Sequence, residues 1–245
     1  MRPLTAQQII RTWEIGQRQH PLDRALTMLS VACPDQSPEA IAALSVGQRD
    51  AYLLTLRELT LGAQLNSFAE CPHCGERLET TLNVEDLRVV EWGQPQPQEY
   101  VCTIEEFEVQ FRLPNSWDLA AIVGYRDLKA AKFRLEERCL VAASRSGVAV
   151  TYQELPSDVL HQLADQIAAC DPQAEILLDF TCPVCEHEWQ LLLDIVTFFW
   201  TELSNQAKRL LREVHTLARF YGWREADILA MSTTRRQFYL SLVSQ

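Results

Sequence analysis

Apolar residues recur at helical spacing through the first third of the chain. After Pro21 they appear in steps of three or four, which predicts a helix that ends before Pro34. A second helix is expected to begin at Ser37, and a third over residues 46–61 with Gly62 as its C-terminal cap. The N-terminal third is therefore predicted to be helical.

The period then changes to two, which is the spacing of a half-buried strand. Residues 78–84 alternate apolar and polar side chains, and residues 107–113 do so again until Pro114 stops the pattern. The stretch 92–100 between them is polar and contains prolines, so we expect a connection there. These two segments predict the β part of the fold.

Helical spacing returns in the second half of the chain. We predict helices over about 117–143 and about 157–169. Residues 194–220 form the longest amphipathic pattern, and two short helices are expected over 225–230 and 233–243. Most of the chain is thus predicted to be helical.

An internal repeat relates two pairs of cysteines. The segment CPHCGERLETTLNV, which carries Cys71 and Cys74, aligns with CPVCEHEWQLLLDI, which carries Cys182 and Cys185. In each copy a Cys-Pro-X-Cys turn precedes an alternating strand. Two such hairpins, each holding half of a metal site, are the halves of a zinc ribbon.

Four cysteines in two such pairs suit one zinc ion. Zinc prefers four tetrahedral ligands, and two residues between cysteines let one tight turn present both sulfurs. We therefore predict one structural Zn²⁺ per chain, held by Cys71, Cys74, Cys182 and Cys185. Such a site has no open position for water or substrate, so it supports no Lewis-acid catalysis.

A redox interpretation uses the same cysteines. Cys-Pro-His-Cys also has the form of a thioredoxin-like motif, whose attacking thiol sits at a helix N-terminus. Strand-like residues follow both pairs here, which favours the metal site; unliganded core cysteines are a third interpretation. His73 and His187 lie in or beside the turns and are assigned to the surroundings of the site. The remaining cysteines are isolated and are expected to be small buried residues: Cys33, Cys102, Cys139 and Cys170.

Together these patterns define an α+β, mostly helical fold: a split four-cysteine zinc ribbon with a long α/β insertion and a C-terminal helical segment. Zinc would join two distant parts of the chain, whose closure otherwise costs entropy. The expected segments are 1–66 (N-terminal helices), 67–87 (first knuckle hairpin), 88–177 (inserted strand and helices), 178–196 (second knuckle hairpin) and 197–245 (C-terminal helices).

Charge is distributed unevenly along the chain. The net charge is −11 and the pI is about 4.9, which disfavours non-specific binding to nucleic acid or to an anionic membrane. Residues 204–245 nevertheless contain seven Lys or Arg against three acidic residues, a net +4. The long helix carries Lys208, Arg212 and Arg219, which we predict to be a docking face for an acidic protein partner. A merely solvated helix face is the alternative.

The sequence lacks the common motifs of catalysis and export. It contains no Walker A loop, GxGxxG, HExxH or GxSxG motif, and its paired acids have no partner that suggests acid–base chemistry. The first residues lack a signal-peptide pattern, and the apolar run 195–200 is too short to span a bilayer. We therefore expect a non-enzymatic protein with no small-molecule substrate and no membrane contact, located in the cytoplasm, where thiols stay reduced.

Several segments resemble one protein family. The run CPVCEHEW, followed by FFWTEL, LLREVHTLARFYGWREADILAMS and RRQFYLSLV, is similar to the baseplate hub assembly proteins of T-even-type phages, also found with contractile injection systems and phage-tail-like particles. The resemblance is strongest over about 178–243 and weaker over RDAYLLTLRELTLG and the first knuckle. One departure is Glu186, where a glycine usually follows the knuckle, as Gly75 does in the first.

The resemblance implies a protein that builds or completes a baseplate, with the four knuckle cysteines as its zinc ligands. We expect a non-catalytic, zinc-stabilised assembly factor or baseplate component of a contractile, phage-tail-like injection system, with other baseplate proteins as partners. A zinc-ribbon regulator that binds nucleic acid is the alternative, although the acidic balance of the chain counts against it. A CxxC thiol oxidoreductase is a weaker alternative.

Overall fold

The computed structural model describes residues 1–89 and 96–243. Of the predicted connection 92–100, residues 92–95 lie outside the described residues. Of the helices described, none combines the length and apolarity needed to cross a membrane. The helices are α1 (Ala6–Gly16), α2 (Pro21–Ala32), α3 (Pro38–Ala43), α4 (Val46–Leu61), α5 (Val84–Leu87), α6 (Ser116–Ile122), α7 (Leu128–Cys139), α8 (Ser157–Cys170), α9 (Ile195–Tyr221), α10 (Glu225–Ala230) and α11 (Thr233–Val243). The strands are β1 (Gln64–Glu70), β2 (Arg77–Asn83), β3 (Tyr100–Ile104), β4 (Phe107–Phe111), β5 (Leu140–Arg145), β6 (Val148–Ala149), β7 (Leu177–Thr181) and β8 (Glu188–Leu192).

The strands form three separate sheets. β1 pairs with β2 and β7 with β8 in two antiparallel hairpins, while β3 to β6 form a four-stranded antiparallel sheet in chain order. The chain therefore runs from a helical body through the first hairpin, a sheet with helices and the second hairpin to the C-terminal helices. The predicted α+β, mostly helical class is confirmed.

α9 is the central helix of the main hydrophobic core, where it packs against α1, α2, α4 and α10. Gly16 lets α1 approach α9 closely, because a Cβ at this position would lie 2.3 Å from the ring of Trp200. A larger residue at position 16 would push the two helices apart. The apolar stripe predicted from the sequence faces this core, with these residues buried: Ile195, Phe199, Leu203, Ala207, Leu210, Val214 and Leu217.

The inserted sheet has a hydrophobic core of its own. β4 alternates as its sequence predicts, with Phe107, Val109 and Phe111 buried. α8 contributes Val159 and Leu163 to the same cluster, and both side chains are fully buried. The insertion therefore folds around its own apolar residues and does not extend the main core.

Residues 117–143 do not form the single helix that the sequence pattern predicted. α6 ends at Ile122, and α7 starts only after Asp127, whose carboxylate accepts a hydrogen bond from the N–H of Lys129 at 3.0 Å. β5 then follows α7 directly, because it pairs with the second edge of β4. Local spacing cannot reveal a strand whose partner lies elsewhere in the chain.

Arg57 ties the helical body to the first hairpin. Its guanidinium donates to the carbonyl oxygens of Gly62 and Gln64, at the start of β1, the second at 2.6 Å. It also donates to the carboxylate of Glu202 on α9, at 2.6 and 2.9 Å. Only 3% of the Arg57 side chain is exposed, so these bonds lie in a medium of low dielectric constant. The base of the hairpin is thus held against α9.

Asp171 and Gln173 tie the segment before the second hairpin to the same body. The Asp171 carboxylate accepts hydrogen bonds from the Ser45 hydroxyl (3.1 Å) and from the N–H of Gly47 (2.9 Å), at the N-terminus of α4. The buried side chain of Gln173 donates to the carbonyl of Leu87 at the end of α5, at 3.1 Å. Both hairpins therefore start from anchored points on one helical body.

Arg57→Met is expected to lower the free energy of unfolding by about 2–4 kcal/mol, because it leaves two carbonyl oxygens and a carboxylate without their donor. Arg145→Met is the control: Arg145 pairs with Glu106 at the surface, where an exposed ion pair contributes little to stability. Urea unfolding of both variants measures the difference. Equal losses would show that Arg57 does not anchor the hairpin.

Candidate metal centre

The two cysteine turns have the same main-chain geometry. In each, the N–H of the first cysteine donates to the carbonyl oxygen five residues later, at 2.8 Å for Cys71 and 2.9 Å for Cys182. The N–H four residues after that cysteine donates back to its carbonyl oxygen, at 2.9 Å in both turns. The internal repeat of the sequence is therefore also a repeat of the backbone.

The repeat continues from each hairpin into a helix. The residue aligned with Val84 is Ile195, and these two residues begin α5 and α9. Both are buried, so each hairpin leads directly into the main core. The sequence pattern had placed Val84 in a strand, but β2 ends at Asn83 and the helix begins one residue later.

The sulfur atoms of Cys71, Cys74, Cys182 and Cys185 converge between the two turns, all within 4.8 Å of one another. The Sγ–Sγ distance is 3.6 Å between Cys71 and Cys185 and 3.5 Å between Cys74 and Cys182. A disulfide bond is about 2.05 Å long, so these are free thiols. Four sulfurs held about 2.3 Å from a tetrahedral zinc ion lie about 3.8 Å apart, so the group has the dimensions of such a site.

The clustered thiols compete for negative charge. The pKa of Cys182 is lowered to about 7: burial raises it, but the N–H groups of Cys185 and Val184 and the nearby thiols donate to its sulfur and outweigh burial. The N–H of His187 lowers the pKa of Cys185, but burial and the neighbouring sulfurs raise it to about 12. The Cys182 thiolate therefore forms readily, whereas the thiols of Cys74 and Cys185, whose pKa values are raised, stay protonated unless a cation neutralises the cluster.

The two turns differ in the residue that follows the second cysteine. Gly75 has a φ of +75° and Glu186, at the equivalent position, has a φ of +56°. This left-handed region favours glycine, because a Cβ there crowds the main chain. The second turn keeps the conformation of the first although it lacks the glycine, so Glu186 stores local strain.

A row of rings lies beside the sulfur atoms. The exposed side chains of His73 and His187 stack across the two turns, with ring centroids 5.6 Å apart. His187 also stacks on Trp189 at 6.1 Å, and Trp189 stacks on Phe180 at 5.5 Å. The sequence showed both histidines near the turns but gave no signal for this stack, because it forms only where the hairpins meet.

The isolated cysteines do not join the cluster in the part of the chain that the structure describes. Cys33 and Cys139 are buried, as expected, whereas Cys102 and Cys170 are only partly buried. Burial raises the pKa of Cys139 to about 12, so its thiol stays protonated and unreactive at neutral pH.

The basic side chains predicted as a docking face are all exposed on α9: Lys208, Arg212 and Arg219. Arg236 is buried instead, with its Nε 3.0 Å from the carboxylate of Glu213. This pair withdraws one positive and one negative charge from the surface, so the net positive charge of residues 204–243 is unchanged.

Some aromatic residues near the end of α9 pack against α11, and others are exposed to solvent. Tyr221 and Trp223 stack at 4.4 Å, and both contact Tyr239 of α11 edge-on. Phe220 is 61% exposed and Phe238 is 62% exposed. The first group therefore attaches α11 to α9, and the second is available at the surface.

Glu186→Gly is expected to raise the free energy of unfolding by about 1 kcal/mol, because glycine adopts a positive φ without a Cβ clash. Glu186→Ala is the control, since it removes the same charge but keeps the Cβ, and it should bring no gain. Urea unfolding of the metal-loaded proteins measures both. A gain with alanine as large as with glycine would assign the effect to charge and not to the backbone.

Comparison with known proteins identifies a family. The family described as T4 bacteriophage base plate protein matches residues 16–200, which is more than half of the chain and includes both cysteine turns. The matched range ends within the first turns of α9, so the segments 201–243 that carry much of the sequence resemblance lie beyond it. No curated protein and no solved structure matches the chain. The chain belongs to the family of T4 bacteriophage base plate proteins.

Proposed function

We propose that this protein is a non-catalytic assembly factor or component of the baseplate in a contractile, phage-tail-like system, stabilised by one Zn²⁺. The zinc site is supported by the convergence of four sulfur atoms from two distant segments. The role in a baseplate is supported by the family match.

The donor set supports zinc as the metal. The cluster of Cys71, Cys74, Cys182 and Cys185 offers only sulfur, and thiolates favour zinc over magnesium or calcium, which prefer oxygen. Zinc would displace the thiol protons and offset the burial and the neighbouring sulfurs that otherwise keep the pKa of Cys185 high. Four protein ligands leave no position for substrate, so the role of the metal is structural. A reducing compartment such as the cytoplasm keeps all four thiols available for the metal.

The metal would matter for assembly because it fixes where α9 begins. The second turn continues through β8 into α9 within a few residues, and α9 then carries the exposed basic side chains. A cross-link between the turns therefore restrains the orientation of α9 relative to the first hairpin. A rigid surface loses less conformational entropy when it binds a partner.

We assign the docking of another baseplate protein to Lys208, Arg212 and Arg219 with the exposed ring of Phe220. All four side chains are exposed on α9, and neither Arg212 nor Arg219 takes part in a salt bridge among the described residues. Exposed charges raise the association rate with an acidic partner, and an aromatic side chain supplies apolar contact area.

Purified protein is expected to contain about one equivalent of zinc per chain. Cys182→Ser should reduce the zinc content well below one and lower the free energy of unfolding by roughly 3 kcal/mol or more, because zinc binding at such sites is coupled to folding. Metal analysis and urea unfolding measure the two effects.

Cys102→Ser is the matched control, since this partly buried cysteine lies outside the cluster and its loss should leave the zinc content unchanged. Full zinc content in Cys182→Ser would contradict the four-sulfur site. A disulfide between Cys71 and Cys74, together with insulin reductase activity, would favour the redox interpretation instead.

Reversing the charges of Arg212 and Arg219 to Glu should slow association with an acidic baseplate partner by about tenfold at low salt. Melting temperature and zinc content should stay unchanged, because both side chains are exposed. Co-purification with baseplate proteins and the yield of assembled particles are the measurements.

The control for this experiment is the double reversal of Arg11 and Arg18 to Glu, which makes the same charge change on exposed residues in and after α1. It should assemble particles at the wild-type yield. If the α9 variant also does so, the docking face lies elsewhere on the protein.

A further inference from the structure

A groove of about 510 Å³ runs between the two hairpins, with α9 along one side. Its apolar lining includes Phe68 on β1, which is 60% exposed, and Leu192 on β8, which is 59% exposed. Thr197 and Phe198 of α9 line the same groove. Large apolar side chains exposed together in a concave surface are typical of a binding site.

The groove is bordered both by the faces and by the edges of strands. Thr80 and Leu82 of β2, like Leu178 and Phe180 of β7, are alternate residues and line it from the faces of the two hairpins. Side chains of a strand alternate between two faces, yet the consecutive residues 66–69 of β1 and 191–193 at the end of β8 all line it. Within residues 1–89 and 96–243, β1 pairs only with β2, and β8 only with β7. Each of these strands therefore has an edge without a partner strand beside the groove.

The hairpin hydrogen bonds show which main-chain groups occupy these edges. In an antiparallel pair, alternate residues bond to the partner strand and the others point their N–H and C=O away from it. The bond that closes the first hairpin starts at Cys71, so Asn66 and Phe68 are among the outward-pointing residues of β1. The same alternation from Cys182 places the main chain of Leu192 on the free edge of β8.

The two hairpins on either side of the groove carry a net negative charge. Residues 64–83 contain three Glu against one Arg, and residues 177–194 contain four acidic residues and no Lys or Arg. An apolar segment with basic flanks would complement this surface. The basic region of this chain itself is helical in α9 and α11, so a second copy does not supply such a segment in extended form.

We propose that the groove binds an extended, apolar, lysine- or arginine-flanked segment of another protein, which adds a strand to the free edge of β1. Main-chain hydrogen bonds to Asn66 and Phe68 hold the segment, and its apolar side chains fit between Phe68 and Leu192. The acidic residues of both hairpins select the basic flanks. This contact deepens the proposed function, since it presupposes a protein partner, but it is separate from the basic face of α9.

The test uses the full chain with its metal and a synthetic peptide of alternating valine and threonine with two lysines at each end. NMR titration should shift the amide resonances of Asn66, Phe68 and Leu192, and hydrogen exchange at Phe68 should slow when the peptide is bound. The same peptide with glutamates in place of the lysines should bind at least about tenfold more weakly. A version with methylated main-chain nitrogens should not protect Phe68.

Two proline variants distinguish binding at the groove edge from binding at the opposite edge of the same hairpin. Asn66→Pro removes an outward N–H beside the groove, and Thr81→Pro removes the outward N–H of its cross-strand neighbour on β2. Both variants lose the same side-chain hydrogen bond, from the Thr81 hydroxyl to Asn66, so this loss does not distinguish them. Asn66→Pro should weaken peptide binding by about fivefold, and Thr81→Pro should leave it unchanged.

Several results would overturn the proposal. These are equal affinity for the lysine and glutamate peptides, no protection of Phe68, or equal losses in the two proline variants. If the free protein is already a dimer that pairs through these edges, the occupant of the groove is a second copy of this chain and not a segment of another protein. These measurements do not use particle yield. A negative result would therefore contradict strand addition at the groove without contradicting the proposed role in baseplate assembly.

Discussion

Two segments far apart in the chain have to meet at four sulfur atoms, and the rest of the structure depends on this closure. Cys74 and Cys182 are 108 positions apart, so bringing them together costs loop entropy. The structure reduces this cost through contacts that do not involve the cysteines. Arg57 fixes the base of the first hairpin, Asp171 and Gln173 fix the approach to the second, and the insertion packs around its own core. The proposed metal would therefore join two turns that these contacts already bring close together.

The same closure explains why a groove exists. The two hairpins are held at their bases by the helical body and meet at their tips through the cysteine turns. Between these points they form separate two-stranded sheets. Hairpins that are held at both ends but do not pair with each other keep free outer edges, which folded proteins usually cover or protect with charge. Here β1 and β8 leave apolar side chains at those edges, which favours a binding function over an accidental exposure.

Local patterns predicted the parts of this fold that depend on nearby residues. α4 spans Val46–Leu61, as its spacing and the glycine after it predicted, because burial and capping act within the helix itself. The spacing of the cysteines pointed to the group that the backbone brings together. β5 was mistaken for the end of a helix, because its identity depends on the edge of β4. The histidine stack and the free edges likewise arise only from how distant segments meet.

One helix carries both surfaces assigned to partners. α9 lines the groove between the acidic hairpins at Thr197 and Phe198, and it carries the exposed arginine Arg219 near its other end. At about 1.5 Å per residue, these points are roughly 30 Å apart along the axis. The buried stripe of α9 holds the helix in the main core throughout this length, so the distance is set by packing. A basic segment bound in the groove and an acidic protein bound to the far end would therefore be kept at a defined separation. Opposite charges at the two proposed sites would disfavour binding of either partner at the other site, as a protein that orders neighbours within a larger assembly requires.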